Sequence, residues 1–235
     1  MIEFIERGER GRHFTAQRKV RLSDSGPDGV LRPDGLVRYL QDVAGDDWDD
    51  TGVDADDTWV VRRTAIRLGE GGAWPLMGDQ VSLTTWCAGS GAAWAERRTN
   101  LSVGTRLMVE AVALWVPIDP TGHPRRLRPS FFDIYGEAAG ARRVSGRITL
   151  HAPPADAAAR AWPLRRADLD VVGHVNNAAL WAALSEIVDS SLAWAVMNHH
   201  GAVEGGEHVQ LVTSDTRLWL SVEGVVRVSG EYGTR

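Results

Sequence analysis

The chain has 235 residues, of which 43% are hydrophobic, and its formal net charge is −5 at pH 7. This size fits two small domains or one fused double domain, and the negative charge argues against general nucleic-acid binding. No apolar run approaches the roughly 18 to 20 residues of a membrane span, and the charged N-terminus MIEFIERGER is unlike a signal peptide. We therefore expect a cytoplasmic protein without a membrane segment. A single cysteine, Cys87, excludes an intramolecular disulfide and is expected to be a buried strand thiol.

The first part of the chain is predicted to contain five strands and one helix. Apolar and β-branched stretches between Gly, Pro and Asp clusters predict strands over 14–22, 58–68, 80–88, 94–103 and 107–118. A helix is predicted from about Asp34 to Asp47, with an apolar stripe made of Leu36, Val37, Leu40, Val43 and Ala44. Residues 119–160, rich in Pro, Arg, Ala and Gly, are expected to form a crossover between two halves.

The second part repeats this pattern. Strands are predicted over 161–166, near 194–199, and over 207–213, 216–222 and 225–231, with a helical stripe formed by Leu180, Trp181, Leu184, Ile187 and Val188. Shifting the numbering by 144 residues superimposes Leu36 on Leu180 and Gly29 on Gly173 without a gap. The agreement favours a duplicated unit. Chance similarity between two amphipathic helices is the alternative.

Polar residues gather where the second helix is predicted to begin. The stretch DLDVVGHVNN, residues 168–177, contains Asp170, His174 and two asparagines, and free N–H groups at a helix start suit a developing oxyanion. Asn176 or Asn177 is a natural N-cap, and either one is as suited to holding the loop as to touching a substrate. Glu186, further along the helix, is a second carboxylate of the site or a buried polar anchor. A metal site built from Asp168, Asp170 and His174 is disfavoured because no other convincing ligand accompanies them.

The first unit lacks this chemistry. At the 144-residue offset, Gly26 stands in place of Asp170 and Val30 in place of His174. The pattern therefore predicts that one half keeps the polar groups and the other keeps only the scaffold.

These residues support a resemblance to a known family. DLDVVGHVNN, followed by Leu180 and Glu186, resembles the motif of acyl thioesterases of the hotdog superfamily. The first half resembles the N-terminal half of bacterial and plant acyl-ACP thioesterases in DGVLRPDGLVRYLQDVA, WVVRRTAI, TWC and LWVPID, which occur in the same order. The resemblance covers most of residues 12–233. It implies an α+β tandem (double) hotdog fold, in which antiparallel sheets each wrap around a central helix. We expect hotdog units at 1–130 and 161–235, joined by a crossover linker at 131–160.

The resemblance implies hydrolysis of fatty acyl thioesters, carried by acyl carrier protein (ACP) or coenzyme A, with release of the free fatty acid and without metal or organic cofactor. Asp170 would attack the carbonyl or deprotonate a water, and His174 would orient it or shuttle the proton. Asn176 and Glu186 complete the candidate catalytic set. Plant enzymes of the family have an asparagine at the position of Val172, so their assignment of roles cannot be copied whole. Glu204 is a weak candidate for the later acidic residue.

Two other classes of protein compete with this interpretation. The first is a non-catalytic acyl-thioester binding or regulatory module that keeps the fold. The second is a hotdog hydratase, which is disfavoured because DVVGH lacks the proline of the usual hydratase pattern.

Substrate contacts are expected from both halves. Val37, Leu40 and Trp59 are predicted to line an acyl pocket in the first unit, and Asn177 and Trp181 to contact substrate from the second. Six arginines between 125 and 147, with Arg165 and Arg166, are a docking candidate for an acidic carrier protein, and an ordinary soluble surface is the alternative. Chain length, carrier protein versus coenzyme A, and assembly as a homodimer stay open.

Overall fold

The computed structural model describes residues 2–53 and 58–235. This part of the chain forms a ten-stranded sheet whose neighbouring strands are all antiparallel. In chain order the strands are β1 (His13–Lys19), β2 (Thr58–Leu68), β3 (Gln80–Ser90), β4 (Ala95–Val103), β5 (Arg106–Ile118), β6 (Ala158–Trp162), β7 (Leu192–His199), β8 (Val209–Ser214), β9 (Arg217–Val222) and β10 (Val225–Thr234). They lie in the order β1-β3-β4-β5-β2-β7-β10-β9-β8-β6.

The sheet order contains the same five-strand arrangement twice. The first unit, β1 to β5, has the order 1-3-4-5-2, and the second unit, β6 to β10, repeats that order from the other end. The units meet where β2 pairs with β7, with Arg63 opposite Asn198 and Arg67 opposite Trp194. A single sheet therefore runs through both units, as predicted for a double hotdog.

The helices lie against this sheet. In the described residues they are α1 (Pro33–Asp50), α2 (Pro129–Ala139), α3 (Asn177–Leu180) and α4 (Ala182–Ser185). Pro33 suits the first helical position because its φ is fixed, and Asp34 places a negative charge in the first turn. The predicted stripe of α1 is buried in the main hydrophobic core, which also contains Leu180, Trp181 and Leu184 of the second unit.

The loops before the two helices share their hydrogen bonds. The Gly26 N–H donates to the Val30 carbonyl at 2.8 Å, and the Asp170 N–H donates to the His174 carbonyl at 2.8 Å. Two residues later, the Arg32 N–H donates to the Asp24 carbonyl at 2.9 Å, and the Asn176 N–H donates to the Asp168 carbonyl at 2.8 Å. Each of these bonds ties the end of the loop to the turn that precedes it. Identical bonds at the same 144-residue offset support duplication over chance similarity.

Glycine is required at one position of each loop. Gly29 and Gly173 have φ values of 76° and 87°, in the left-handed region that a side chain disfavours. A short 3-10 turn precedes each loop, at Leu22–Asp24 and at Arg166–Asp168. The first unit, which lacks the acid and the histidine, thus forms the same loop backbone as the second unit.

The second helix differs from its prediction. The stripe at 180–188 predicts one continuous helix, whereas the chain forms two four-residue helices that meet at Trp181. The N–H groups of Trp181, Leu184 and Ile187 each donate to the carbonyl three residues earlier, which tightens the segment and breaks the α-helical pattern.

The crossover also differs from its prediction. Helix α2 occupies the beginning of the linker expected at 131–160 and packs against β3 of the first unit. A second, smaller core lies beneath it, formed by Cys87, Ala95, Leu127, Phe131, Tyr135 and Ala139. This helix therefore closes one side of the first unit. None of the helices in the described residues has the length and apolar character needed to cross a membrane.

Candidate active site

The loop between the 3-10 turn at 166–168 and α3 holds most of the predicted site. Asp168 anchors its beginning, because its carboxylate accepts hydrogen bonds from the Arg165 backbone N–H and guanidinium, both at 2.8 Å. The carboxylate of Asp168 is thereby occupied as a structural group. Among the described residues, no cluster of three or more His, Cys, Asp or Glu side chains is arranged to hold a metal ion.

Asp170 fixes the tip of this loop. Its Oδ1 accepts the N–H groups of Val172 and His174, at 3.0 and 3.2 Å. The bonds link Asp170 to the backbone of His174, and no hydrogen bond joins the two side chains in the described part of the chain. Val171 and Val172 project outward at the tip, with Val171 fully exposed and Val172 67% exposed.

The ring of His174 has a different carboxylate beside it. Its Nε2 lies 3.3 Å from Oε1 of Glu204, in a segment that forms an isolated antiparallel bridge with the loop. Both side chains are about half exposed. The sequence pointed to Asp170 as the partner of His174, and the structure brings up Glu204, a residue that the pattern favoured only weakly.

The two asparagines have separate environments. Asn176 is the N-cap of α3, and its Oδ1 accepts the Ala178 N–H at 2.8 Å. Asn177 lines a cavity together with Val37 and Leu40 of the first unit. Asn176 therefore has the structural role that the sequence allowed for one of the asparagines. Asn177 faces a cavity, which agrees with the substrate-contacting role that the sequence allowed for the other.

The predicted oxyanion site lies at a shorter helix than expected. Helix α3 has only four residues, too few for an appreciable dipole, and the Ala178 N–H is already taken by the Asn176 side chain. These two features weaken the site, which stays a prediction.

Glu186 is not a buried anchor. Its side chain is 56% exposed, and its ionic partner among the described residues is Arg160 on the edge strand β6, at 3.9 Å. Trp181 is also placed differently from its prediction. It is completely buried in the main core and lines neither compartment of the cavity described next.

A cavity with two adjoining compartments lies between α1 and the sheet of the first unit. The narrow compartment, called the neck below, has a volume of about 10 Å³ and includes Val37, Leu40 and Asn177 in its lining. The wide compartment has a volume of about 220 Å³ and includes Trp48 and Trp59. Both compartments are lined by Gln41, Arg97 and Trp115, which makes them neighbours.

Aromatic rings form most of the wall of the wide compartment. Trp59 lies edge-on to Trp48, with ring centroids 6.0 Å apart, and 5.8 Å from Phe131 of α2. Cys87 also lines this compartment, where burial raises the pKa of its thiol, so it is an inert core thiol and not an activated nucleophile.

A charged network closes one wall of the cavity. The buried Asp47 carboxylate accepts hydrogen bonds from Arg97 at 2.7 Å, Arg12 at 2.8 Å and the Tyr135 hydroxyl at 2.9 Å. Burial raises the pKa of Tyr135 to about 12. Burial lowers the pKa of the Arg97 guanidinium, but the adjacent Asp47 carboxylate raises it by more, so the pKa is raised overall. Tyr135 and Arg97 therefore both keep their protons near neutral pH.

The first unit has no equivalent of the acid and the histidine. The Arg32 guanidinium donates to Asp34 at 2.9 Å and to the Ser25 carbonyl at 2.6 Å, at the position that Asn176 occupies in the second unit. The loop keeps its backbone geometry without the polar side chains.

Several residues of the cavity were missed by sequence reasoning. Gln41 follows the predicted stripe residue Leu40, and Phe131 and Tyr135 are four positions apart after Pro129, a spacing that indicates a helix face. No local signal assigns Thr64 or Arg97 to the cavity, because strands paired far along the chain bring them there.

The fold and the site together define a double-hotdog thioester hydrolase. A family model for the acyl-ACP thioesterase N-terminal domain matches residues 11–135, which is more than half of the chain. The protein belongs to the acyl-ACP thioesterase family, and it hydrolyses fatty acyl thioesters with release of the free fatty acid.

Solved structures agree with the fold. The 12:0-ACP thioesterase from Umbellularia californica is similar with a TM-score of 0.79 and 18% identity, covering 97% of this chain and 99% of that one. An acyl-ACP thioesterase from Bacteroides thetaiotaomicron gives a TM-score of 0.78 at 17% identity, covering 94% of this chain and 96% of the other. The predicted tandem hotdog fold is confirmed. Among curated proteins, the uncharacterized protein Rv2001 of Mycobacterium tuberculosis is 26% identical over 214 residues, covering 88% of this chain and 84% of the relative.

Proposed function

We propose that hydrolysis takes place at the loop 170–174 of the second unit, while the acyl chain lies in the cavity of the first. The observation that carries this proposal is Asn177, which follows the loop and lines the same neck as Val37 and Leu40. A thioester beside Asn177 has its acyl chain directed through the neck toward Trp59. The division into a first unit up to residue 130 and a second unit from 161 is part of the same proposal.

In this mechanism His174 is the general base and Glu204 stabilises its protonated form across 3.3 Å. Water adds its oxygen to the carbonyl carbon and gives one proton to His174, while the carbonyl π electrons move to oxygen. When these electrons return, the C–S bond breaks and the thiolate takes the proton from His174. One water is consumed, and one carboxylic acid and one thiol are formed.

Asp170 has a supporting role in the proposal. Its Oδ1 already accepts two backbone N–H groups, so it holds the turn that presents His174. Its negative charge also stabilises the positive charge that His174 gains in the transition state. Asn176 caps α3 and keeps Asn177 at the neck. The exposed Glu186 has no part in the mechanism.

The size of the wide compartment favours a medium-length acyl chain. A cavity of about 150 Å³ holds one benzene ring, so the wide compartment, at about 220 Å³, accommodates about eight or nine carbons. Trp59 and the rings beside it form its far wall, whereas Val37 and Leu40 lie at the neck and constrict the passage.

We further propose an acyl carrier protein as the natural carrier. The loop carries the exposed Val171 and Val172, and the exposed Arg166 lies in the turn before it, beside Arg165, whose guanidinium is bound to Asp168 at 2.8 Å. Apolar and basic groups next to the site suit an acidic protein surface. The crossover contributes less than expected, because Arg142 is already paired with Glu96 at 2.6 Å.

The test measures thiol release from C4 to C16 acyl-ACPs and the matching acyl-CoAs. We expect the highest kcat/KM with medium chains on ACP, and a loss in Arg166→Glu that grows as salt is lowered. Equal kcat/KM for both carriers would overturn the choice of carrier. Binding of acyl thioesters without thiol release would favour the non-catalytic module. Assembly as a homodimer and a cytoplasmic location stay predictions, the former testable by light scattering.

A further inference from the structure

The neck contains three polar side chains that have no partner. Gln41 comes from α1, Thr64 from β2 and Asn177 from the second unit, and none of their side chains hydrogen-bonds to another described residue. Thr64 is only 3% exposed. Gln41 and Asn177 are partly exposed. A fourth donor of the neck, the indole Nε1 of Trp115, is buried and also has no hydrogen-bond partner. A buried donor without a partner is costly and is rare in folded proteins, so a partner outside the chain is indicated.

Two other polar side chains of the neck already have hydrogen-bond partners. Arg97 donates to Asp47 at 2.7 Å, and the Thr99 hydroxyl lies 3.1 Å from the Thr85 hydroxyl. The unpaired polar atoms of the neck in the described residues therefore belong to Gln41, Thr64, Asn177 and Trp115, whose indole Nε1 is buried without a partner. Three of these four residues come from the unit that lacks the acid and the histidine.

Three backbone N–H groups at the loop are already bound within it. The N–H groups of Val172 and His174 are bound to Asp170, and that of Ala178 is bound to Asn176. Thioester hydrolysis nevertheless develops a negative charge on the carbonyl oxygen, and donors directed at that atom are usually the largest single contribution to such reactions.

We propose that Gln41 and Thr64 of the first unit, together with Asn177, donate hydrogen bonds to the thioester carbonyl oxygen and to the oxyanion that it becomes. This inference rests on the proposed function, since it requires the thioester to lie at the neck. Two amide NH2 groups and one hydroxyl are neutral donors, so they bind a carbonyl oxygen before the reaction and an oxyanion during it. If a methylene group of the acyl chain occupied this position instead, all three donors would lack hydrogen-bond partners. The first unit is then a catalytic contributor.

Steady-state kinetics with octanoyl-ACP or octanoyl-CoA tests the assignment. Thr64→Val keeps the shape of the side chain but removes the donor, and Gln41→Leu removes the amide. Each is expected to lower kcat roughly 100-fold with a much smaller change in KM, because the lost bonds are strongest in the transition state. Thr64→Ser restores a hydroxyl and should recover most of kcat.

A matched control is Ser185→Ala. Ser185 stands 144 residues after Gln41, is likewise polar and buried at its hydroxyl, and lines neither compartment of the cavity. Its kcat and KM should equal those of the wild type. Wild-type kcat in both Thr64→Val and Gln41→Leu would overturn the inference, even if hydrolysis at the loop were established.

Binding provides a readout that does not depend on turnover. In the His174→Ala background, calorimetry compares octanoyl-CoA with its thioether analogue S-octyl-CoA, which has no carbonyl. We expect octanoyl-CoA to bind more tightly, and Thr64→Val to remove that difference while leaving S-octyl-CoA binding unchanged. A preference for the carbonyl that survives in Thr64→Val would overturn the inference. Absence of thiol release by the wild type would instead overturn the proposed function.

Discussion

At the scale of single residues, the loop 168–177 shows how one sequence motif holds several different roles. The acid and the histidine are four residues apart, which suggests a catalytic pair, yet the Asp170 side chain bonds to backbone N–H groups and the His174 ring faces Glu204. The motif predicts this loop as the site, but the pairing that it suggested within the loop is not the one that the structure shows. Glu204 lies thirty positions after His174, and no sequence pattern connects the two.

The first prediction separates these roles. His174→Ala should remove most hydrolysis, because general bases contribute about 100- to 10,000-fold to rates. Asp170→Asn should also remove most of it: asparagine keeps the Oδ1 acceptor of the turn but loses the negative charge. Glu204→Gln should cause a smaller loss. Thiol release from octanoyl-CoA measures all three variants, and circular dichroism checks that they fold.

Glu186→Gln is the control for these substitutions, since it removes an exposed carboxylate paired only with Arg160 at 3.9 Å. It should leave turnover unchanged. Near-normal turnover in both His174→Ala and Asp170→Asn would show that the loop is not the site.

At the scale of elements, predictions from periodicity succeeded where each strand or helix is bordered by clear breaks. The strand at Thr58–Leu68 has the predicted limits, and α1 was recognised from its stripe. The same reasoning was wrong for the second helix. Its side chains are buried as predicted, but several of its backbone N–H groups donate to the carbonyl three residues earlier instead of four. Helix α2 was missed because its Pro, Arg and Gly neighbours resemble a linker.

The second prediction concerns the two helical stripes. Leu36 and Leu180 are 0% and 2% exposed and occupy equivalent positions in the two units. Truncating either to Ala should lower the free energy of unfolding by about 2 to 5 kcal/mol, because each leaves a cavity in a packed core. Leu22→Ala, at a position that is 79% exposed, should cost less than about 0.5 kcal/mol. Urea titration measures all three, and a loss at Leu180 no larger than at Leu22 would contradict the duplicated core.

The third prediction concerns the far wall of the wide compartment. Trp59→Ala enlarges the space between Trp48 and Phe131, so preference should move toward longer acyl chains. Each additional buried methylene is worth about 0.8 kcal/mol, or roughly a fourfold change in kcat/KM. The measurement is kcat/KM across a series of acyl chains, with Trp181→Phe as the control because Trp181 lines neither compartment. An unchanged chain-length profile in Trp59→Ala and Trp59→Leu would place the acyl pocket elsewhere.

At the scale of the whole molecule, the 144-residue offset carried more structural information than any single motif. It predicted a duplicated helix and sheet unit, and the two units indeed share their strand order and the hydrogen bonds of their loops. What the offset could not predict is the cooperation between units. The cavity of the first unit reaches Asn177 of the second because α3 packs against α1 and because β2 pairs with β7, whose paired residues are 127 to 135 positions apart. Thr64 and Gln41 meet Asn177 through these contacts and not through their neighbours in sequence.

His199 lies at this junction, at the end of β7. It is 5% exposed, and neither ring nitrogen has a hydrogen-bond partner among the described residues. Burial, together with the positive charges of Arg62 and a protonated His200, lowers the pKa of His199 from 6.5 to about 4. The folded protein thus holds this histidine neutral in the strand that joins the two units.

The last prediction follows from that pKa. Above pH 6.5 the ring is neutral in the folded and the unfolded chain, so it gives no pH dependence there. As the pH falls, the unfolded chain binds a proton that the folded chain excludes, and stability is lost progressively until about pH 4. The loss from this group amounts to about 3 kcal/mol over that range. His199→Leu should flatten the fall in unfolding free energy between pH 7 and pH 4 relative to the wild type, whereas His208→Leu, which changes an exposed histidine, should not. Urea titrations at each pH provide the comparison, and parallel curves for the wild type and His199→Leu would show that the junction between the units is not acid-sensitive through this residue.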